Sequence, residues 1–153
     1  MGNLGIDLRI GTPSTKAEWQ AYFAVRHTVL RAPLGMPIGS EKDSLDEKGS
    51  ASQHVALFVQ GDLVAVGRLD MLGDGIGQVR YMAVLCAHRG LGAGSKVLAE
   101  LERKAEELGL IQIVLNAREK AVRFYEAAGY ESTANLGNLI ANIPHYKMEK
   151  RLT

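Results

Sequence analysis

The middle of the chain reads Gln78-Val79-Arg80-Tyr81-Met82-Ala83-Val84-Leu85-Cys86-Ala87-His88-Arg89-Gly90-Leu91-Gly92-Ala93-Gly94-Ser95. Its first eight residues are typical of a β-strand, and the residues after Ser95 have the apolar period of an amphipathic helix. The first N–H groups of a helix have no partner within the helix and carry the positive end of its dipole. Glycines in front of a helix let an anion approach the backbone closely. The segment therefore predicts a phosphate-binding turn, with a glycine turn that binds no ligand as the alternative.

The spacing of the glycines separates this turn from two common phosphate-binding loops. A Walker loop ends in Gly-Lys followed by Ser or Thr, whereas this chain has Gly94-Ser95-Lys96. A dinucleotide-binding turn has its third glycine one residue later, and it requires an acidic residue where this chain has Asn116. The sequence thus argues against ATP and NAD as ligands. Arg89 and Ser95 can add a charged contact and a hydroxyl donor to a phosphate.

Outward from this turn, the hydrophobic pattern predicts alternating strands and helices. Two strand-like runs separated by Gln60-Gly61-Asp62 precede the turn, and with the run at 78–85 they predict three antiparallel strands. The complete order is β-α-β-β-β-α-β-α-β, with strands at 6–10, 54–59, 63–69, 78–85, 110–115 and 143–152 and helices at 19–30, 97–108 and 121–128. The predicted fold class is α/β (α+β), a mostly antiparallel mixed sheet flanked by helices, in a single domain over residues 1–153.

Residues 31–53 follow neither a helical nor a strand period, and they include three glycines and two prolines. Connections of this length are uncommon in compact domains and often form lids or binding loops. Two alternatives stand for the acidic residues in this segment, Glu41, Asp43, Asp46 and Glu47. They attract an ammonium group of a substrate, or they are simply solvated.

Composition excludes several classes of function. The 153 residues carry a formal net charge of +1, which gives no general attraction to nucleic acid or to an acidic membrane. No apolar run approaches the ~20 residues needed to cross a bilayer. The lone cysteine, Cys86, is expected to be a packed thiol in a reducing compartment, and the scattered histidines form no metal site. We therefore expect a cytoplasmic protein that binds no metal, nucleic acid or membrane.

Two motifs resemble those of the GNAT N-acetyltransferases. Val84 to Gly94 is similar to the pyrophosphate-binding motif Q/R-x-x-G-x-G/A of this family, with Arg89, Gly92 and Gly94 at its defining positions. Farther on, the chain resembles the family's A-x-x-F-Y-E-x-x-G-F/Y segment with Ala121-Val122-Arg123-Phe124-Tyr125-Glu126-Ala127-Ala128-Gly129-Tyr130. The predicted element order also resembles the GNAT fold over nearly the whole chain. Within the family, the ElaA-like branch is similar to this chain in Leu115-Asn116-Ala117 followed by Ile143-Pro144-His145.

The resemblance implies acetyl-CoA as the cosubstrate and a primary amine, on a small molecule or as an exposed amino group, as the acceptor. By position, the backbone of Met82, Ala83 and Val84 is expected to bind the pantetheine arm in a gap between two diverging strands. The N–H of Val84 or of a neighbour would polarise the thioester carbonyl. The pyrophosphate is expected on Arg89, Gly90, Leu91, Gly92, Ala93, Gly94 and Ser95.

Two side chains after the turn have a functional and a structural interpretation. Tyr125 falls at the position of the family's usual general acid, which protonates the departing CoA thiolate. Alternatively, it packs beside Phe124 on the apolar face of its helix. Asn116 either faces the pantetheine arm from the end of its strand or caps the next helix, with Glu119 at capping-box spacing.

The chain departs from the family's pattern at two positions. Many relatives have an asparagine seven residues before the tyrosine, where this chain has Arg118. Some relatives use a glutamate base on the fourth strand, where this chain has Gln78, whose amide is no base at neutral pH. His54 and His145 are the other candidate bases because imidazole titrates near neutrality, and a structural role is the alternative for each.

Other functions remain open from the sequence. A non-catalytic module that binds acyl-CoA is the main alternative to an enzyme, and proteins are alternative acceptors to metabolites. Arg26 and Arg31, near the end of the first helix, either meet a substrate carboxylate or cap that helix. The resemblance also implies a possible homodimer that pairs through the last strands. The residues themselves argue neither for this dimer nor against it.

Overall fold

The computed structural model describes residues 7–152, which form one sheet with helices on both faces. The seven strands of this part of the chain lie in the order β1-β2-β3-β4-β5-β7-β6, and neighbours are antiparallel except for β4 and β5. The strands are β1 (Leu8–Gly11), β2 (Gln53–Val59), β3 (Asp62–Gly73), β4 (Ile76–Val84), β5 (Gln112–Arg118), β6 (Glu131–Ile140) and β7 (Ile143–Arg151). The α-helices are α1 (Lys16–Arg26), α2 (Ala93–Glu107) and α3 (Val122–Ala127). The predicted fold class, a mostly antiparallel mixed sheet flanked by helices, is confirmed.

One strand was not predicted from the sequence. β6 lies at the edge of the sheet and pairs with β7 alone. Eight of its ten residues are exposed, so neither face needs apolar residues and no alternating pattern appears in the sequence. The predicted strands correspond to β1–β5 and β7, with shifts of a few residues at their ends. The first one is observed from Leu8, and Ile6 lies outside the described residues.

Both faces of the sheet are apolar because helices cover each of them. On β2, Val55 and Leu57 belong to the core that includes α2 and α3, whereas Ala56 and Phe58 belong to the core that includes α1. This alternation explains why β2 is apolar along most of its length. α2 buries most of the face that its period predicts, Val97, Leu98, Leu101 and Ala105, and also Ala93. Leu108, at the predicted end of this face, follows the helix and is 50% exposed. Within residues 7–152, no helix combines the length and the apolar character that crossing a bilayer requires.

The long segment between α1 and β2 is held in place by buried charges. Arg68 on β3 is fully buried, and its guanidinium contacts Asp43 and Asp46 of this segment at 2.7 and 2.9 Å, and Asp70 of β3 at 2.7 Å. Arg26, also fully buried, reaches Asp46 at 2.9 Å. Hydrogen bonds from Arg68 hold the pKa of Asp43 below its ordinary value. The side chain of Asp46 is buried, so both interpretations from the sequence are wrong for it. Asp43 is 30% exposed, but its carboxylate is paired with Arg68 and not free for a substrate.

β4 and β5 diverge halfway along β4. Their parallel pairing ends at Val79 and Leu115. Beyond this point two residues of β4, Tyr81 and Met82, lie opposite the single residue Gly67 of β3, and Tyr81 has a φ of 57°. Such a bulge bends the strand that contains it. The gap between diverging strands that the family resemblance implies is thus present, between residues 80–84 and 116–118.

Candidate active site

A groove of about 570 Å³ lies between the end of β4, the start of α2 and α3. Nine of the residues predicted to bind the cofactor line it, Met82, Ala83, Val84, Arg89, Gly90, Gly92, Ala93, Gly94 and Ser95. Leu91 is absent from the lining and is 71% exposed, so its side chain faces solvent. The fold therefore brings the strand end and the glycine turn to one continuous surface.

The turn in front of α2 has the geometry of an anion site. Gly92 directly precedes the helix with a φ of 83°, a conformation that strains residues with a Cβ. The Lys96 N–H donates to the Gly92 carbonyl at 3.1 Å, and the N–H groups of residues 93–95 have no acceptor within the helix. The first turn holds no acidic residue. Partnerless N–H groups at the positive end of a helix favour a negatively charged ligand.

The segment between β4 and the turn is short and partly exposed. A 3-10 turn over Cys86–His88 connects them, and Arg89 Nε donates to the Val84 carbonyl at 3.3 Å, which ties the turn to the strand end. Cys86 is exposed, so the expectation of a packed thiol is wrong.

A second cavity, of about 290 Å³, adjoins the groove. Its walls come from residues 30–31, 78–82, 116–118, 121, 125, 139–140 and 145. Five residues line both spaces and mark where they meet, Leu30, Met82, Arg118, Ala121 and Tyr125. The groove and the second cavity are therefore neighbours, and Tyr125 is one of the residues on their common wall.

Asn116 lies inside β5 and lines the second cavity, not the groove. The strand continues to Arg118, and the 3-10 turn over Glu119–Ala121 that follows begins without a side-chain cap. The interpretation of Asn116 as a helix cap is therefore wrong. Its contact with a pantetheine arm in the gap beside β5 stays a prediction.

Tyr125 is positioned by aromatic packing. Its ring meets those of Phe124 and Tyr130 edge-on, with centroids 5.0 and 5.8 Å apart, and only 7% of the residue is exposed. Burial raises the pKa of Tyr125 above its ordinary value, so the phenol is protonated at neutral pH. The packing and functional interpretations are compatible, because the same side chain packs against its neighbours and lines both cavities.

The two candidate histidines have different surroundings. His54 is buried, its Nδ1 lies 2.9 Å from the Tyr22 hydroxyl, and it lines neither the groove nor the second cavity. Burial lowers the pKa of His54 to about 4, which keeps the ring neutral in a structural role. His145 lines the second cavity, and its Nδ1 lies 2.8 Å from the Ile143 carbonyl oxygen. Because a carbonyl only accepts, Nδ1 donates the hydrogen, and the lone pair of the neutral ring is on Nε2.

The two arginines near the end of α1 also have different surroundings. Arg26 is fully buried and bonded to Asp46, so it cannot meet a substrate. Arg31 lines the second cavity, as does Arg118, which stands where the family resemblance leads us to expect an asparagine. Arg118 Nη2 donates to the Leu30 carbonyl at 3.0 Å.

Comparison with known families identifies this arrangement. The family model described as Acetyltransferase (GNAT) family matches residues 16–130, which include α1, the glycine turn and α3. The chain belongs to the GNAT acetyltransferase family. An uncharacterised N-acetyltransferase of Bacillus subtilis, YjcF, is 34% identical to it over 128 residues, or 84% of this chain and 89% of YjcF.

Solved GNAT-type structures share the fold over almost the whole chain. An aminoglycoside 6'-N-acetyltransferase in complex with coenzyme A superposes with a TM-score of 0.80 at 16% identity, covering 96% of this chain and 97% of that one. Escherichia coli ElaA superposes with a TM-score of 0.78 at 18% identity, covering 95% and 99%. The predicted resemblance to ElaA is thus confirmed as a likeness of fold.

Sequence reasoning missed part of the second cavity of this GNAT protein. Leu139 and Ile140 come from the end of β6, the strand that carries no periodic signal. In the sequence, Arg118 is visible only as a departure from the family, and its position on the wall shared by both cavities follows from the path of β5. The departure itself was the available signal, because a charged residue in place of a neutral one changes what the cavity can bind.

Proposed function

We propose that this GNAT protein transfers the acetyl group of acetyl-CoA to a primary amine by direct attack of the amine on the thioester. The observation that carries the proposal is the meeting of the glycine-turn groove with the second cavity at Tyr125. The groove suits the cosubstrate, and the adjoining cavity suits the acceptor. The aminoglycoside acetyltransferase that shares the fold is a coenzyme A complex, which supports this use of the groove.

The N–H groups at the start of α2 are the proposed ligands of the pyrophosphate, with Ser95 adding a hydroxyl and Arg89 a charge. The gap beside β4 suits the pantetheine arm. The Leu85 N–H donates to the Val64 carbonyl on β3 at 2.9 Å, and N–H directions alternate along a strand. The Val84 N–H therefore points to the other edge of β4, into the gap, where it can polarise the thioester carbonyl.

Two side chains handle the protons in this proposal. The amine nitrogen forms a bond to the thioester carbon, and the carbon–sulfur bond breaks to release a thiolate. Tyr125 donates its phenolic proton to that sulfur, which suits a group that is protonated at neutral pH. His145 Nε2, on the wall of the second cavity, accepts the proton that the attacking nitrogen loses.

The direct test combines binding and turnover. Calorimetry should detect binding of acetyl-CoA, and an assay of free thiol with a panel of primary amines should detect acetyl transfer. In His145→Gln, kcat/KM at neutral pH should fall about tenfold and recover at higher pH, where hydroxide can accept the proton that the nitrogen loses. Binding without turnover across the panel would favour the alternative of a non-catalytic acyl-CoA module. Absence of acetyl-CoA binding would refute the proposal altogether.

Gly92→Ala should raise the Kd of acetyl-CoA about tenfold, because a Cβ at a φ of 83° distorts the backbone that presents N–H groups to the pyrophosphate. Gly109→Ala is the matched control, since Gly109 follows the other end of α2 with a φ of 78° and has nothing within 4 Å of a Cβ. Both variants should have a lower free energy of unfolding. Calorimetry should show weaker binding of acetyl-CoA in Gly92→Ala alone. Equal Kd values for the two variants would contradict this role of the turn.

A further inference from the structure

The second cavity has an unusual balance of charge. Of the residues that the structure describes, three arginines line it, Arg31, Arg80 and Arg118, and no aspartate or glutamate does. Arg80 is partly neutralised by Asp43, whose oxygen lies 3.3 Å away. Among residues 7–152, no carboxylate forms an ion pair with Arg31 or Arg118. This contrasts with the buried Arg68, which has three carboxylate partners.

A shared acceptor holds these two arginines side by side. Arg31 Nη1 and Arg118 Nη2 both donate to the Leu30 carbonyl, at 3.2 and 3.0 Å. Arg31 Nε donates to the Ser40 carbonyl at 3.1 Å, and the residue is only 8% exposed. The remaining N–H donors, on Arg31 Nη2 and on Arg118 Nε and Nη1, make no bond to any residue of the described chain.

Two partly buried cations next to each other are unfavourable without a counter-charge. Burial, and then the charge of Arg31, lower the pKa of Arg118, the direction expected for two neighbouring cations in a partly buried site. Guanidinium groups with free N–H donors bind carboxylates with particular strength, because their planar donor pairs match the two oxygens. An anion in the second cavity would therefore pair with both guanidinium groups.

We propose that the acceptor is an amine that also carries a carboxylate, which Arg31 and Arg118 bind so that the amine reaches the junction at Tyr125. This inference rests on the proposed function and names the substrate class of the same site. Leu139 and Ile140 line the same cavity and offer contacts for a short apolar body between the two charged ends of the acceptor. Arg31 and Arg118 are positioning residues, because they bind the part of the acceptor that does not react.

The cosubstrate is the competing anion. Arg118 lines both the groove and the second cavity, so a phosphate of CoA could also form an ion pair with it. Arg31 lines only the second cavity. Arg31 therefore distinguishes the two sources, because its loss should affect the acceptor and leave cosubstrate binding unchanged.

The test uses acceptors that differ only in the charged end. Acetyl transfer is measured with ω-amino acids of three to six carbons and with their carboxamides, in which the spacer keeps the reactivity of the amine similar. In the wild-type protein, kcat/KM for the best acid should exceed that for its amide by about tenfold or more. Arg31→Met and Arg118→Met should each reduce this ratio toward one, and Arg31→Lys should keep part of it. The Kd of acetyl-CoA should be unchanged in Arg31→Met.

Arg103→Met is the control for net charge, since Arg103 is an exposed residue of α2 remote from the cavity lining. It should keep the wild-type ratio. Equal kcat/KM for acids and amides in the wild-type protein would overturn the inference without any variant, while acetyl transfer itself would still support the proposed function. A rise in the acetyl-CoA Kd of Arg31→Met with an unchanged ratio would assign the cations to the cosubstrate and also overturn it. A lack of turnover with every amine would instead refute the proposed function.

Discussion

Tyr125→Phe is expected to lower kcat for acetyl transfer by about 100-fold or more, with the Kd of acetyl-CoA nearly unchanged. General acid catalysis typically contributes about 10²–10⁴-fold, and the departing thiolate has no other proton donor in our proposal. The change removes one oxygen atom and keeps the ring that packs against Phe124 and Tyr130. Loss of rate without loss of binding therefore isolates the hydroxyl. Thiol release under saturating acetyl-CoA and calorimetry measure the two quantities.

Tyr130→Phe is the matched control for this experiment. Tyr130 is on the same aromatic cluster, but its hydroxyl donates to Glu102 at 2.8 Å and it lines neither the groove nor the second cavity. The same chemical change there should leave kcat within a few-fold of wild type, because its hydrogen bond supports only packing. Wild-type kcat in Tyr125→Phe, or equal losses in both variants, would show that the Tyr125 hydroxyl is no proton donor.

Arg68→Met should lower the free energy of unfolding by about 3–5 kcal/mol, the usual cost of removing one member of a buried ionic network. The variant leaves Asp70 buried without its main partner, removes one of the two arginine contacts of Asp46, and removes the two nitrogens that hold Asp43. We expect the segment between α1 and β2 to loosen for the same reason. Chemical denaturation followed by circular dichroism measures the change.

Arg103→Met gives the comparison with an exposed network. Arg103 also bonds two carboxylates, those of Glu100 and Glu107, but its side chain is 53% exposed. Exposed ion pairs contribute little, so the free energy of unfolding should be nearly that of the wild type. If Arg68→Met lost no more stability than Arg103→Met, the buried charges would not be what holds the long segment.

Much of the fold follows from local patterns. The period of α2 and the glycine turn before it could be predicted because both depend on residues that are neighbours in the sequence. The cap of α1 is equally local, because Thr15 Oγ1 accepts from the N–H of Glu18, three residues later, at 3.1 Å. β6 could not be predicted, because an edge strand exposed on both faces has no apolar period.

The site was predictable in part for the same reason. Residues of the glycine turn and of the end of β4 adjoin in sequence, and nine of them line the groove together. Which of two histidines meets the cavity was not predictable, since His54 and His145 have equal chemistry and differ in which core surrounds them. The same holds for Arg26 and Arg31, of which one is buried against Asp46 and the other lines the cavity.

By itself, the sequence determined the family, the turn that suits a diphosphate, and the tyrosine in the second motif. These features are contiguous, and their chemistry depends on the types and spacing of the residues. Only the folded chain brings Tyr125 to the common wall of two cavities and lets Arg31 and Arg118 share one carbonyl, with no carboxylate of residues 7–152 in an ion pair with either. Such contacts join residues far apart in the chain, and they depend on the bulge at Tyr81 and the divergence of β4 from β5. No local pattern encodes that divergence, because it arises from how one strand pairs with two different neighbours.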